Sequence, residues 1–227
     1  MKEFLIKNKW RAIFMLVLCT VIFVAIQNAL TPKKTLGFPQ PDQFDPALVD
    51  DSMLFVKKYH KIAPFELYNQ NGDTITQEDY TGKIYVADFF FTTCPTICPI
   101  MTDNMAILQE EFKDDPEVLF LSHSVTPEYD TPEILKAYAH KKGVLDHKWN
   151  LVTGPKEDIY NLARKSYLAV KDAPYGGQYD MVHTENFLLI DKEGRPRSRS
   201  YDGTDLEEIE ALIEDIYILK DSYKEAE

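Results

Sequence analysis

Cysteine is scarce in this sequence, and its scarcity excludes several kinds of protein. Of three cysteines in 227 residues, Cys19 lies in an apolar run, and only Cys94 and Cys98 remain for a globular part. Two thiols in one motif exclude a fold stapled by several disulfides. No second CxxC or Cys-His pair is present, which disfavours a four-ligand structural zinc site and an iron–sulfur cluster. The pairing of the remaining two thiols therefore indicates a functional site and not a structural one.

Positive charge is also in short supply. The chain has 25 Lys and Arg against 37 Asp and Glu, a net charge of −12. This balance disfavours a nucleic-acid partner, because phosphate binding needs a basic face. The acidity suits solubility first and a cationic partner second. Hydrophobic residues make up 44% of the chain, enough for one packed domain of ordinary size plus a targeting segment.

Residues 12–30 form an uncharged apolar run that is long enough to cross a bilayer as a helix. Four basic residues precede it, so we expect 1–11 to be a cytoplasmic basic segment and 12–30 a transmembrane anchor that exports the rest. The run lacks the small residues that a cleaved signal peptide needs at its cut site. It also lacks the small residues that a lipoprotein signal needs just before its cysteine, here Cys19. A buried core helix is the remaining alternative. The absence of a presequence ahead of the run favours a bacterial plasma (inner) membrane, with the main domain periplasmic.

The rest of the chain divides into a tether, a domain and a tail. Residues 31–58 are rich in proline with little apolar periodicity, which predicts an extracytoplasmic linker. Residues 59–221 form the predicted domain, and 222–227 a C-terminal tail.

The domain reads as an α/β fold with a central mixed sheet flanked by helices and an N-terminal hairpin. Met101 and Met105 lie at helical spacing and are expected in the core. The predicted strands are 65–68, 74–76, 84–91, 118–125, 149–151, 187–190 and 197–201, and the predicted helices follow Pro99 and span 132–142, 156–170 and 205–220.

The segment FTTCPTICP, residues 91–99, lies between a predicted buried strand and a helix, where sites in α/β sheets gather. Pro99 fits a first helical turn, so Cys98 should lie near the helix N-terminus, where the dipole favours a thiolate. Cys94 and Cys98 can close a redox-active disulfide or bind a soft metal. Two thiolates and one imidazole would suit copper in either valence state.

Five histidines could supply that imidazole. His60, His140 and His147 lie beside lysines and are expected to be solvated. His183 ends a glycine-containing loop just before the strand FLLID, so it could reach the end of a neighbouring strand. His123 competes with it, as a core residue, a neighbour of the ligands or an alternative ligand.

The sequence resembles the Sco (SenC) family of membrane-anchored cytochrome c oxidase assembly proteins. The matching segments are FTTCPTICP, SVTPEYDTPEILKAYA and HTENFLLIDKEG, over roughly residues 60–220. The resemblance implies a thioredoxin-like fold and copper ligands at Cys94, Cys98 and His183. It also implies delivery of copper to the binuclear site of the oxidase's copper-binding subunit. Some members instead look like reductases that keep the oxidase cysteines reduced.

Three positions depart from the family pattern. Thr126 and Val182 stand where members often have Asp, and many relatives lack a histidine at the position of His123. Asp180 and His123 are candidates for positions beside the ligands, where side chains tune metal affinity. Ordinary thioredoxin-like reductases have a proline just before the strand that corresponds to FLLID, and its absence favours metal handling.

The sequence therefore predicts a copper metallochaperone, with two alternatives. One is a thiol–disulfide oxidoreductase that uses Cys94 and Cys98, and the other is a copper or redox sensor. Besides the oxidase subunit, other copper chaperones or thioredoxin-like reductants are candidate partners. A peroxidase is disfavoured, because its threonine–cysteine–arginine arrangement cannot be assembled from this sequence.

Overall fold

The structure, a computed structural model, describes residues 2–30, 35–41, 53, 55, 60–169 and 184–225. The chain divides into two compact units, Met1–Thr35 and Leu36–Glu227. The first unit contains helix α1, Lys2–Leu30, on which large apolar side chains such as Phe14 and Leu16 are exposed. Within the described ranges, no helix meets the length and apolarity needed to span a membrane.

The second unit is built on one mixed sheet of seven strands. The order across the sheet is β2-β1-β5-β4-β3-β6-β7, with β3, β4 and β5 parallel and the outer pairings antiparallel. This arrangement confirms the predicted α/β class and the N-terminal hairpin. The strands are β1 Glu66–Asn69, β2 Thr74–Thr76, β3 Ile84–Phe90, β4 Val118–Ser124, β5 Trp149–Thr153, β6 Asn186–Ile190 and β7 Pro196–Asp202.

In the described part of this unit, four α-helices pack around the sheet: α2 Ile97–Glu111, α3 Pro132–Lys142, α4 Lys156–Asn161 and α5 Leu206–Lys224. Helix α3 ends as predicted, with Gly143 in the left-handed conformation. The single helix predicted over 156–170 was wrong, because α4 gives way to a π-helical turn at Leu162–Ser166. That wider turn closes with a 2.8 Å bond from the Tyr167 amide to the Leu162 carbonyl, and the Tyr167 ring is fully buried.

Strand β3 is buried at every position, so its side chains enter two separate cores. Ile84, Val86 and Phe90 pack with α2 and α5 on one face, which we call the cysteine face because Cys94 and Cys98 belong to the same cluster. The alternate side chains of β3, such as Phe89, pack on the opposite face with α4 and the π-helical turn. The alternation follows from the two-residue period of a strand. Met101 and Met105 are fully buried on the cysteine face, as predicted.

Part of the segment that the sequence assigns to the tether packs on the domain. Arg197 donates to the carbonyls of Leu36 and Gly37 at 2.7 and 3.2 Å, and its guanidinium lies 3.8 Å from the Phe38 ring centroid. Asp191, fully buried, pairs with the same guanidinium at 3.2 Å. Leu36, whose side chain is buried, therefore belongs to the second compact unit, and the predicted boundary at residue 59 stays a prediction.

Gly203, between β7 and α5, packs closely against the start of β6. Its amide donates to the Glu185 carbonyl at 2.7 Å, and a Cβ there would lie 2.7 Å from the Phe187 ring and 2.9 Å from the Glu185 oxygen. We expect Gly203→Ala to lower the free energy of unfolding by about 2 kcal/mol in urea titrations, because backbone must move to admit the methyl group. The matched control is Gly37→Ala, whose Cβ would have nothing within 4 Å. Equal stabilities for the two variants would contradict this packing.

Candidate metal centre

The two thiols lie where parallel strands β3 and β4 end, at one edge of the sheet. The chain leaves β3 at Phe90 and enters α2 at Ile97, so Cys94 lies in the connecting loop and Cys98 in the first turn of the helix. Both are free thiols, 8% and 3% exposed respectively. The predicted position at a strand–helix junction is confirmed.

Cys94 is the thiol that the local structure favours as a thiolate. Burial raises its pKa, but hydrogen bonds from Thr96 and Cys98 outweigh burial and leave the pKa below the ordinary value. One of them comes from the Cys98 amide, 3.5 Å from Cys94 Sγ, and the Thr96 hydroxyl lies 3.8 Å away. Unpaired amides at a helix N-terminus stabilise negative charge in this way.

For Cys98 the expectation of a favoured thiolate was wrong. The pKa of Cys98 is raised to about 12, mainly by burial and to a smaller extent by the neighbouring Cys94 and the Asp88 carboxylate. The physical reason is position: Cys98 turns into the apolar core on the cysteine face, while its own amide serves Cys94. Both thiols are buried, but the pKa of Cys94 is lowered and that of Cys98 is raised, so the two form an asymmetric pair.

This asymmetry predicts selective alkylation. Between pH 7 and 8, a larger fraction of Cys94 than of Cys98 is thiolate, and only the thiolate reacts. We expect iodoacetamide to label Cys94 at least about tenfold faster than Cys98 in the reduced protein, measured by peptide mass spectrometry. Unfolding in urea is the control, since it should bring the two rates close together. Faster labelling of Cys98 in the folded protein would contradict the assignment.

A buried carboxylate that the sequence analysis missed fixes the cysteine loop. Asp130 is fully buried and accepts hydrogen bonds from the Thr92 amide at 3.2 Å and from the Thr92 hydroxyl. It also accepts from Ser124 Oγ at 2.6 Å and Thr126 Oγ1 at 3.0 Å. Thr126, one of the three positions that depart from the pattern of the family that the sequence resembles, thus donates to a buried carboxylate. Hydroxyls two residues apart, followed by Asp, are the sequence signal that could have indicated this turn.

A second buried carboxylate, Asp88, lies on the cysteine face of β3. Burial raises its pKa to about 7, only partly offset by a hydrogen bond from Ser122. Asp88 Oδ1 has no hydrogen-bond partner in the described part of the chain. Its charge acts on Cys98 and on Tyr138, whose hydroxyl lies 2.9 Å from Thr102 Oγ1. Asp88 escaped the sequence analysis because it lies inside a nearly continuous apolar run.

His123 is a core residue. Its ring stacks on Phe89 at 4.8 Å and meets Tyr167 edge-on at 5.1 Å, on the face of the sheet opposite the cysteines. Nδ1 lies 3.2 Å from the Asp88 carbonyl, while Nε2 has no hydrogen-bond partner in the ranges that the structure describes. Burial lowers the pKa of His123 to about 4, so the ring is neutral at pH 7. Of its three predicted roles, this position supports the one in the core.

His60 was wrongly expected to be solvated. It is buried, and its Nε2 lies 2.6 Å from the Ser166 carbonyl in the π-helical turn. Burial lowers the pKa of His60, partly offset by that bond. The adjacent lysine misled the sequence analysis, since the chain turns inward at this point to meet the turn.

His183 and Asp180 lie outside the described residues, so their predicted roles stay predictions. Both sides of the segment that contains them are described and joined, because Asn186 Nδ2 donates to the Ala169 carbonyl at 3.5 Å. Thr184, next to His183 in the chain, is buried. Among the residues that the structure covers, no group of three or more His, Cys, Asp or Glu side chains could hold a metal.

Comparison with known proteins gives the family. The profile of the family described as SCO1/SenC matches residues 56–217, most of the domain. This chain belongs to the SCO1/SenC family. Solved structures agree: a SCO1/SenC family lipoprotein from Bacillus anthracis is 38% identical, with a TM-score of 0.63, over 71% of this chain and 95% of that one.

Two further solved relatives bear on chemistry. BsSco, described as a member of the Sco family of cytochrome c oxidase assembly proteins with a disulfide switch, is 32% identical at a TM-score of 0.60, over 70% of this chain and 93% of that one. ScoI of Bradyrhizobium japonicum, solved with copper bound, is 29% identical at a TM-score of 0.56, over 71% of this chain and all of that one. These likenesses confirm the predicted thioredoxin-like fold.

Proposed function

We propose that this protein is a membrane-anchored copper metallochaperone for the binuclear copper site of cytochrome c oxidase. Cys94 and Cys98 would bind the copper as thiolates, and His183 would complete the site as a neutral imidazole. Copper is the cargo, which would pass by ligand exchange to the cysteines of the oxidase's copper-binding subunit. As each Cys94 or Cys98 thiolate releases copper, it would take up a proton, while the acceptor thiols lose theirs.

The observation that carries this proposal is the pairing of two soft donors where strands β3 and β4 end. The Cys98 amide donates to Cys94 Sγ at 3.5 Å, so the thiol of the loop lies against the helical turn that carries the second thiol. Thiolate sulfur favours soft metals such as copper(I), and the sequence offers no fourth ligand of the kind that a structural zinc site needs. The relative solved with copper bound belongs to the same family.

The register of the sheet supports His183 as the third ligand. Strand β6 pairs antiparallel with β3, with Leu188 opposite Ala87. The same register, continued by four residues, would bring position 184 opposite Phe91, where the cysteine loop begins. Residue 183 is one peptide further on, within about 3.8 Å of residue 184 along the chain. This register supports the proposal that His183 lies within reach of the cysteine loop.

We also propose that residues 12–30 hold the protein at the membrane with the domain on the extracytoplasmic side. The support is the uncharged composition of the run, the four basic residues before it and the apolar side chains exposed on α1. Flotation of the full chain with phospholipid vesicles tests this proposal. A chain that stays out of the vesicle fraction would contradict it.

The second candidate is a thiol–disulfide oxidoreductase that keeps the oxidase cysteines reduced. The asymmetric thiols favour it, since Cys94 has the lowered pKa of an attacking thiol and the buried Cys98 could resolve the mixed disulfide. The relative with a disulfide switch shares this family. Under this function His183→Ala would keep most of the dithiol activity, whereas a chaperone would lose copper affinity.

Titration with copper(I) under anaerobic, reducing conditions tests the proposed function. The full chain should bind one equivalent, and Cys94→Ser or Cys98→Ser should abolish tight binding. The matched control is Cys19→Ser, which removes the third thiol, on α1, and should bind like the wild type. Undiminished binding by the Cys94→Ser, Cys98→Ser double variant would overturn the proposal.

A further inference from the structure

We propose that an uncharged rim around the two thiols is the docking face for the protein that receives the copper, and that this acceptor has basic side chains around its own thiols. The inference rests on the proposed function and adds the contact surface and the charge of the partner. We call Ile100, Tyr129 and Ile134 the thiol rim.

The thiol rim consists of large apolar side chains left in solvent. Tyr129 is 69% exposed, Ile100 48% and Ile134 44%. Ile100 follows Cys98 by two residues in α2, Tyr129 lies between β4 and α3, and Ile134 lies in the first turn of α3. Single exposed apolar residues are ordinary, but three around one candidate site indicate an interaction surface.

Hydrogen bonds place the rim residues close to the thiols. Tyr129 precedes Asp130, which bonds Thr92 at the start of the cysteine loop. Helices α2 and α3 are joined across the same edge, because Lys142 Nζ donates to the Pro99 carbonyl at 3.1 Å and the Thr102 and Tyr138 hydroxyls bond each other. The ends of parallel strands β3 and β4 thus bring all three residues to one side of the domain.

Folding gives no reason for these side chains to be apolar. Helix α2 buries Cys98, Met101, Met105 and Leu108 on its inner face, so Ile100 adds nothing to that core. Isoleucine on an exposed helical surface also loses side-chain freedom in the helix. Tyrosine is enriched at the centres of protein interfaces, where its ring is buried on association.

Because the thiols are buried, the acceptor must contact the thiol rim to reach a bound copper. Cys94 and Cys98 are 8% and 3% exposed, so an acceptor thiolate can reach a bound copper only at close approach. Contact with apolar side chains removes water from the exchange and supplies binding energy that the thiols alone lack. The rim therefore provides the approach surface.

The charge of the domain favours a basic partner. Residues 36–227 contain 36 acidic and 19 basic residues, a net charge of −17. Asp103, Glu128 and Glu133 are exposed and lie within three residues of a rim residue in the chain. Asp103 and Glu128 pair with Lys142 and Lys156 at 2.6 and 3.1 Å, but both carboxylates are exposed, so a partner's cations can compete for them. An acidic domain of this size also attracts a cationic acceptor before contact.

Copper-transfer kinetics test the docking face. The full chain is loaded with one equivalent of copper(I) and mixed either with the soluble copper-accepting domain of the oxidase subunit or with the small chelator bicinchoninate. We expect Tyr129→Ser, Ile134→Ser to slow transfer to the protein acceptor about tenfold and to leave transfer to bicinchoninate unchanged. The control variant, Tyr68→Ser, Ile107→Ser, alters residues 44% and 45% exposed elsewhere and should transfer like the wild type.

The outcomes separate the two proposals. If the wild type binds no copper, the proposed function itself fails. If it transfers copper but the rim variant matches it, the docking face alone is overturned, as it is if the rim variant is slowed equally toward bicinchoninate. Raising KCl from about 0.05 to 0.5 M should slow transfer to the protein acceptor, because salt screens opposite charges. A rate that does not fall with salt would overturn the basic partner.

Discussion

Asp130→Ala is expected to lower the free energy of unfolding by about 3 kcal/mol and to release the cysteine loop. The carboxylate is fully buried and accepts four hydrogen bonds, from Thr92 twice and from Ser124 and Thr126. Hydrogen bonds to a charged group each contribute more than neutral ones, and their donors would be left unpaired in a buried place. Urea unfolding gives the stability change, and the iodoacetamide rate at Cys94 in native buffer reports the loop.

The comparison variant is Asp103→Ala, which removes an exposed carboxylate paired only with Lys142. It lies near the same thiols but should cost less than about 1 kcal/mol, because surface ion pairs contribute little. The Asp130 variant should also label faster at Cys94 than the Asp103 variant. Similar stabilities and labelling rates for both would show that Asp130 does not hold the loop.

His123→Phe is expected to change the pH dependence of stability by about 3 kcal/mol. In the folded protein burial lowers the pKa of His123 to about 4, from an ordinary value of 6.5. The unfolded chain therefore takes up a proton below pH 6.5 that the folded protein refuses until about pH 4. The contribution of His123 to the free energy of unfolding is therefore fully present above pH 6.5 and is lost as the pH falls to 4. Phenylalanine fits the aromatic cluster and removes this loss.

The measurement is urea unfolding of both proteins at pH 7.5 and at pH 4. Relative to the wild type, His123→Phe should gain about 3 kcal/mol between those pH values. Tyr167→Phe is the control, because it changes the same cluster without removing a group that titrates in this range. A constant difference between His123→Phe and the wild type would contradict the neutral, buried ring.

Asp88 explains why the comparison between variants is needed. Its pKa is raised to about 7 from 3.8, so it takes up a proton on folding between those values and stabilises the protein as the pH falls. This contribution opposes that of His123 over nearly the same range. The pH dependence of wild-type stability contains both contributions, whereas the difference between His123→Phe and the wild type contains that of His123 alone.

The regular elements could be predicted where local pattern and tertiary packing agree. The strand predicted over 84–91 becomes β3, buried on both faces, and the helix predicted over 132–142 becomes α3. The helix expected over 156–170 failed because its C-terminal part forms a π-helical turn around the buried Tyr167. Hydrophobic spacing does not encode that extra residue.

The thiols of the candidate site could be predicted, but not their electrostatics. Cys94 and Cys98 stand out in sequence because they are paired between a strand and a helix. The motif does not show which sulfur accepts a hydrogen bond from the amide at the start of the helix. In the structure that sulfur is Cys94 Sγ. Asp130 and Asp88 were missed because their partners lie on other elements. His123 could be placed with Leu121 by alternation, but only the neighbouring aromatic rings show that this face lies away from the thiols.

X-ray absorption at the copper edge tests the central claim most directly. The copper(I)-loaded wild type should show two sulfur ligands and one nitrogen ligand, and His183→Ala should keep both sulfurs and lose the nitrogen. His123→Phe should keep all three, since its ring lies on the other face of the sheet. A nitrogen ligand that survives His183→Ala, or a site without sulfur, would contradict copper binding by Cys94, Cys98 and His183.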